Sequence, residues 1–166
     1  MILNYYSKVE TCTYGNCLVA TKSLPSGTII QKFEGKISSL DKIPESEICY
    51  SILISKENWM IVETDSKYIN HSCNPNCIVD EDLQVRTIRE VNKAEELTIC
   101  YNMVYDNEDP GFWDPRWTFK CQCKSENCQG IIDKYITLDG KPWYPINLEE
   151  YSDLGEKSIN KIIIPV

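Results

Sequence analysis

Apolar residues occur along this chain in short runs, which glycine, proline and polar turn residues separate at intervals of roughly ten to twenty positions. Runs of this kind, bounded by turn signals, are typical of β-strands. We therefore expect a mostly β fold with a few short helices. The predicted strands are Cys17–Thr21, Thr28–Phe33, Ile52–Ile54, Trp59–Glu63, Leu83–Ile88 and Leu97–Tyr101.

One stretch departs from this pattern and predicts a short helix between residues 38 and 50. Ser38 is a suitable N-cap, and Pro44 is expected to delay the start of the helix, because proline is tolerated only in a first helical turn. The apolar residues spaced along this helix are Leu40, Ile43 and Ile48. Farther on, residues 107–117 are rich in proline, glycine, acidic and aromatic side chains, which predicts a loop leading into a separate cysteine module.

Length and composition limit the class of protein. The chain has 166 residues, of which 42% are hydrophobic, enough for one globular domain with a small appended module. Apolar stretches such as residues 162–166 are far shorter than the ~20 residues of a membrane span, and residues 1–4 lack the features of a secretory leader. Nine cysteines, several at metal-type spacing, then favour a reducing compartment, so we expect a soluble protein of the cytoplasm or nucleus.

The formal net charge of −8 indicates which class of macromolecule the protein can bind. Nucleic-acid binding depends on basic patches that neutralise phosphates, so direct contact with nucleic acid is not expected. A lysine- and arginine-rich protein or peptide is the better electrostatic partner.

A cluster of cysteines near the C-terminal third has the spacing of a zinc site. Cys121, Cys123 and Cys128 form a C-x-C-x4-C pattern in a polar loop, which supplies three thiolates to a tetrahedral site that needs four ligands. The fourth sulfur must come from elsewhere in the chain, and Cys73 and Cys77 are the candidates.

Both candidates lie in the run from Tyr68 to Cys77, which contains the sequence NHSCNPN and the only histidine of the chain. A lone histidine is more often structural, but this run resembles the signature of SET-domain protein-lysine methyltransferases. Other elements similar to that family stand in the same order around it, so that the similarity covers roughly residues 3–131. They are residues 15–21, 24–28, 33–35 and 95–101, followed by the cysteine cluster and Gly130.

The resemblance implies a fold that periodicity does not predict. It consists of several small curved sheets of the β-clip-like SET type, with residues 70–76 threaded beneath a loop formed by residues 96–101 in a pseudoknot. The implied organisation is a SET domain over residues 1–116 with an insert at about 36–60, a post-SET zinc module over 117–131 and a C-terminal extension over 132–166.

The resemblance also implies an activity, the transfer of methyl groups from S-adenosylmethionine to lysine side chains of proteins, with histone tails as the expected partners. Tyr101 matches the catalytic tyrosine. Main-chain groups of Asn16, Cys17 and Leu18 would hold the methionine part of the donor. The other implied donor-binding residues are Lys67, Tyr68, Asn70 and His71, and the substrate channel comprises Phe33, Ile99 and Tyr101. A structural zinc would be held by Cys73, Cys121, Cys123 and Cys128, with Cys77 as the alternative to Cys73.

Several positions depart from the family pattern. Cys17 stands where a second glycine is usual, Lys67 where many relatives carry arginine, and Phe33 where a tyrosine often lines the channel. Ile99 replaces an aromatic residue that tunes the number of methyl groups, and an aliphatic side chain there predicts more than one methyl per lysine. Trp113, Trp117 and Phe119 either line the substrate groove or donor pocket or pack in the core.

Two other functions remain open at the level of sequence. One is a zinc-stabilised peptide-binding module that has lost catalysis, which the departures at Cys17 and Phe33 favour. The other is a methyltransferase with a non-histone acceptor, because substrate choice lies in loops such as residues 36–60 and 102–117.

Overall fold

The computed structural model describes residues 5–13, 15–55, 58–80, 82–101, 119–128 and 130–132. Trp113, Trp117, the side chain of Phe119 and most of the expected C-terminal extension lie outside this part of the chain. The described strands are β1 (Ser7–Cys12), β2 (Gly15–Ala20), β3 (Ile29–Lys32), β4 (Gly35–Ser38), β5 (Ser51–Ser55), β6 (Asn58–Val62), β7 (Asn70–His71), β8 (Cys77–Val79), β9 (Gln84–Thr87), β10 (Thr98–Ile99), β11 (Phe119–Lys120) and β12 (Ile131–Ile132).

These strands form small sheets, as expected for a mostly β chain. Two are three-stranded, in the orders β3-β9-β8 and β4-β6-β5, and the pairs β1-β2 and β11-β12 are antiparallel. The remaining pair, β7 and β10, is parallel. Each of the predicted apolar runs overlaps one strand, which confirms the mostly β interpretation. The apolar pattern did not predict β1, because most of its residues are polar. Antiparallel pairing with β2 holds this strand in place.

The prediction of one short helix over residues 38–50 is wrong. The structure has two separate 3-10 turns there, Leu40–Lys42 and Ile48–Tyr50. Ile43 lies between them in an extended conformation, with φ −79° and ψ 125°. The physical reason is Pro44, whose ring disfavours the α conformation in the residue before it. A third 3-10 turn, Asp65–Tyr68, leads directly into β7. No helix within the described ranges has the length and apolar character that a membrane crossing requires.

The core is a single apolar cluster to which each of the larger sheets contributes. Burying a leucine, isoleucine or phenylalanine side chain stabilises the fold by about 1.5–3 kcal/mol, so this cluster supplies much of the stability. Its largest fully buried side chains are Phe33, Leu18, Leu24, Ile52, Ile69, Leu97, Ile99, Val79, Val85 and Val91.

Residues 95–99 cross between β2 and β7 and tie the two halves of the domain together. On one side, Leu97 N–H donates to the Leu18 carbonyl at 2.8 Å, and Ala20 N–H donates to the Glu95 carbonyl at 2.9 Å. On the other side, β10 pairs with β7 in the register Thr98↔Asn70 and Ile99↔His71. This crossing is the knotted arrangement that the family resemblance predicted.

Candidate active site and metal centre

The parallel pairing of β7 with β10 brings Tyr101 to His71, although thirty positions separate them in the sequence. The Tyr101 backbone N–H donates to His71 Nδ1 at 2.9 Å, and the two ring centroids lie 5.4 Å apart. Asn70, next to His71, belongs to the same two-residue strand. Three of the predicted site residues therefore meet at one point of the fold.

The Tyr101 hydroxyl is fixed in a buried position. It donates to the Ile69 carbonyl at 2.5 Å, and only 6% of the residue is exposed. Burial, with a contribution from the negative charge of Glu96, raises the pKa of Tyr101 above its usual range. The phenol therefore stays protonated at neutral pH and cannot act as a general base, but its oxygen lone pairs remain able to accept hydrogen bonds.

The hydrogen bonds of His71 define its tautomer. Because Nδ1 accepts the Tyr101 N–H, the ring proton lies on Nε2, which is 3.2 Å from Cys73 Sγ. Burial lowers the pKa of His71 to about 4, so the ring is neutral at physiological pH. His71 thus donates a hydrogen bond to the Cys73 sulfur and, in this tautomer, has no Nε2 lone pair with which to ligate a metal.

Cys73 lies in a cluster of sulfur atoms. Its Sγ is 3.7 Å from Cys121 Sγ, and its backbone N–H donates to Cys123 Sγ at 3.4 Å. The Cys121 thiol also hydrogen-bonds to those of Cys123 and Cys128. Two sulfurs bound at 2.3 Å to a tetrahedral zinc would be about 3.8 Å apart, so the distance between Cys73 and Cys121 fits zinc. The ligand atoms of His71, Cys73, Cys121 and Cys123 all lie within 4.8 Å of one another.

The surroundings of the cluster support thiolates. Burial by itself would raise the pKa of Cys123, but hydrogen bonds from Ser125 and from the Cys73 N–H lower that pKa to about 6. The loop is held in place by Asn127, whose Nδ2 donates to the Cys73 carbonyl at 2.7 Å. Cys77, the alternative fourth ligand, lies instead in β8, where burial raises its pKa above the usual range of a thiol. Of the two candidates, Cys73 is the one beside the other sulfurs.

A second group of polar atoms lies on the other side of β7, where the donor-binding residues were predicted. Asn70 Nδ2 donates to the Asn16 carbonyl at 3.3 Å and to Glu96 Oε1 at 2.8 Å. Leu18 and Cys17 are buried in β2, the strand that also contains Asn16. The predicted donor contacts from β2 and β7 are therefore adjacent.

Comparison with known proteins identifies the family to which this geometry belongs. The family model described as SET domain matches residues 15–102. The chain belongs to the SET domain family.

Curated relatives of this SET domain carry histone-lysine N-methyltransferase names. The H3 lysine-36 specific enzyme of Cryptococcus neoformans is 26% identical over 137 residues, 71% of this chain and 16% of the relative. The enzyme trr of Drosophila melanogaster is 41% identical over 71 residues, 39% of this chain and 3% of the relative. The enzyme ASHR3 of Arabidopsis thaliana is 34% identical over 74 residues, 40% of this chain and 13% of the relative. The alignments thus span only a small part of each relative.

Two further predicted donor residues of the SET domain, Lys67 and Tyr68, lie in the 3-10 turn before β7. The Lys67 ammonium lies 5.1 Å from the Tyr68 ring centroid and 5.4 Å from that of Tyr50. These distances are in the range of cation–π attraction, so Lys67 is placed by two rings rather than left as a plain solvated lysine. The turn packs against β2, the strand that contains Asn16 and Cys17.

The predicted channel residues of the SET domain belong to its core. Phe33 and Ile99 are each 1% exposed and lie in the same apolar cluster as Tyr101. The Phe33 side chain follows β3, and Ile99 stands opposite His71 in the parallel pair. All three predicted channel residues are therefore buried in one apolar cluster.

Sequence reasoning missed three residues that complete the site. Asn76, 1% exposed, accepts from Thr98 N–H at 2.8 Å and donates to the Glu96 carbonyl at 2.7 Å. Glu96 and Cys12 both accept from Asn70. Asn76 was visible as the last residue of the NHSCNPN run, but Cys12 belongs to no motif, and only the β1-β2 hairpin brings it to the site.

Proposed function

We propose that this SET domain transfers methyl groups from S-adenosylmethionine to lysine side chains of basic proteins, with histone tails as the first class to test. Membership of the SET family supports this, as do the histone-lysine N-methyltransferase names of its relatives. The net charge of −8 favours a basic acceptor. On the same reasoning we propose the nucleus, where histones are found, as its location.

The observation that carries the proposal is the meeting of Asn70, His71 and Tyr101 beside the Asn16 carbonyl. When bound, S-adenosylmethionine supplies an activated methyl group on a positively charged sulfur. The residues that would hold it are Asn16, Cys17, Leu18, Lys67, Tyr68, Asn70 and His71. Glu96, whose carboxylate accepts from Asn70, adds a negative charge suited to a cationic ligand.

The chain's own contribution to the reaction is to keep the acceptor amine neutral and aligned. A lysine with a reference pKa near ~10.4 is uncharged in only about one part in a thousand at physiological pH. Apolar surroundings such as Ile99 and Phe33 disfavour the ammonium form, so no dedicated base is needed. Because the Tyr101 proton is directed to the Ile69 carbonyl, the phenol oxygen is available to accept from the amine and orient it.

The cysteine cluster has a structural part in this proposal. Cys73, Cys121, Cys123 and Cys128 would hold a zinc ion with four thiolates, which leaves no open position for chemistry. Because His71 donates to Cys73, zinc binding would also fix the ring that receives the Tyr101 N–H. We propose the domain limits predicted from the sequence, namely the SET domain at 1–116, the zinc module at 117–131 and the extension at 132–166.

The test is methyl transfer by the zinc-loaded chain from labelled S-adenosylmethionine to core histones and to cell lysate, read by mass spectrometry. The variant Tyr101→Phe removes the hydroxyl, and we expect transfer to fall about 100-fold or more because a preorganised polar contact is lost. The control is Tyr5→Phe, since Tyr5 is 70% exposed. Both variants should keep the thermal shift caused by S-adenosylhomocysteine.

The possible failures of this test differ in meaning. Binding of S-adenosylhomocysteine without labelled protein would refute a protein acceptor and point to another class of substrate. Absence of both binding and transfer would contradict the enzyme altogether and leave the peptide-binding module, which the cysteine at position 17 and the phenylalanine at position 33 favour. Equal rates for Tyr101→Phe and wild type would remove Tyr101 from catalysis.

A further inference from the structure

A second group of potential metal ligands lies at the turn end of the β1-β2 hairpin. Cys12, Cys17 and Glu96 place two sulfurs and a carboxylate oxygen within 4.8 Å of one another. The two thiols are hydrogen-bonded to each other. Cys12 is half-buried and Cys17 is buried, so the group is partly accessible from solvent. Cys17 and Glu96 also belong to the proposed donor site, but neither the proposed reaction nor the structural zinc uses the two sulfurs and the carboxylate together as metal ligands.

The ligand types indicate the kind of cation that would bind. Thiolates favour zinc and softer ions over magnesium or calcium, and one carboxylate with two thiolates leaves the fourth tetrahedral position to water. A tetrahedral zinc would need these atoms about 3.6–3.8 Å apart. Because the three atoms already lie within 4.8 Å of one another, each distance would have to shorten by at most about 1 Å.

The electrostatics of the group favour a cation. Burial, the neighbouring Cys12 thiol and the charges of Glu96 and Glu10 raise the pKa of Cys17 to about 12. The carboxylates of Glu96 and Glu10 disfavour a thiolate at Cys17, but they would attract a divalent ion. The charge of that ion would offset the negative charges of the carboxylates and the thiolates. Asn70 donates to both Cys12 Sγ, at 3.7 Å, and Glu96 Oε1, at 2.8 Å, and so orients two of the three ligands.

The strand β7 separates this group from the structural cluster. Successive residues of a strand point to opposite sides. His71 contacts the sulfur of Cys73 on one side, and Asn70 contacts Cys12 on the other. Two groups of sulfur ligands are therefore held by adjacent residues, but they share no ligand.

We propose that Cys12, Cys17 and Glu96 form a second binding site for zinc-class divalent cations, weaker than the four-cysteine site and open to solvent. Because Asn16 and Asn70 border this site, an ion bound there occupies part of the methyl-donor site. The metal and the donor therefore exclude each other. This second statement rests on the proposed function, whereas the metal site itself does not.

The experiment is a titration of the full chain, already loaded with one equivalent of zinc, with further zinc or with cadmium under a non-thiol reductant that prevents disulfide formation. Equilibrium dialysis counts the bound ions, and the thiolate-to-cadmium absorption band identifies sulfur ligands. We expect a second equivalent to bind with release of protons, since both thiols must ionise.

Variants locate the second equivalent. Cys12→Ser and Glu96→Gln should each weaken the second step by about tenfold or more and leave the first unchanged, because each removes one of three ligands. Retention of the first equivalent also shows that a variant is folded. The matched control is Cys49→Ser, since the Cys49 thiol bonds to the Ser46 carbonyl, away from both groups; it should bind both equivalents.

Two results would overturn the proposal: no second equivalent, or a second equivalent that neither Cys12→Ser nor Glu96→Gln weakens. The competition arm is separate. Saturating the second site should abolish calorimetric binding of S-adenosylhomocysteine to the wild type, and dialysis that removes only the second equivalent of metal should restore that binding. If S-adenosylhomocysteine does not bind even without added metal, the proposed function fails while the metal site stands. If both bind together, the exclusion is wrong.

Discussion

Asn76 is the residue on which the crossing of the chain depends most directly. Its Oδ1 accepts from Thr98 N–H at 2.8 Å, and its Nδ2 donates to the Glu96 carbonyl at 2.7 Å and to Glu95 Oε1 at 3.1 Å. With 1% of the residue exposed, water cannot replace these partners. The substitution Asn76→Ala removes all three bonds at once.

The expected loss follows from the groups left behind. Two partly buried backbone groups, Thr98 N–H and the Glu96 carbonyl, lose their side-chain partner, and each such loss costs about 1–3 kcal/mol. We therefore expect the free energy of unfolding to fall by about 2–6 kcal/mol, a large share of the 5–15 kcal/mol typical of a domain. Methyl transfer should fall as well, since β10 holds Tyr101 against His71.

Urea unfolding, monitored at fixed zinc concentration, measures the change. The matched control is Asn74→Ala, which changes an exposed asparagine of the same loop and should stay within about 0.5 kcal/mol of wild type. A loss below about 1 kcal/mol for Asn76→Ala, or one equal to that of Asn74→Ala, would refute the idea that these hydrogen bonds hold the crossing together.

Three further predictions concern the metal, the product and the packing. Removing zinc with a chelator should lower the melting temperature by at least about 5 °C, and added zinc should restore it; an unchanged melting curve would contradict the structural role of the cluster. The wild type should place more than one methyl on each lysine, and Ile99→Tyr, which adds a hydroxyl beside the site, should shift the products toward monomethyl-lysine in mass spectrometry; only monomethyl-lysine from the wild type would refute this. Gly35→Ala should cost about 3 kcal/mol or more in urea unfolding, because the new Cβ would lie 1.8 Å from the Ile61 carbonyl oxygen, and a variant as stable as wild type would show that β4 can move away from β6.

Local patterns in the sequence were sufficient for much of the fold and for the residue types of the site. Short apolar runs predicted the strands, because pairing and burial both favour branched and aromatic residues there. The C-x-C-x4-C spacing predicted a zinc site, because the three sulfurs lie in one short loop. The NHSCNPN run and residues 95–101 indicated the family before any contact was known.

Tertiary structure alone decided which distant residues meet, because the energy of such contacts arises only after the chain has closed long loops. The parallel pairing of β7 with β10 places Tyr101 N–H on His71 Nδ1 and defines the tautomer of the ring. The same crossing puts Cys73 rather than Cys77 beside the sulfurs of the loop.

The wrong helix and the missed residues have the same origin. Residues 38–50 carry spaced apolar positions, but Pro44 prevents the α conformation before it, so these side chains reach the core from two separate turns. Cys12 belongs to no motif, and it lies beside Glu96 only because the turn end of the β1-β2 hairpin meets the segment before β10. Sequence by itself therefore determined the family and the chemistry available to it, whereas nonlocal pairing determined which groups can act together.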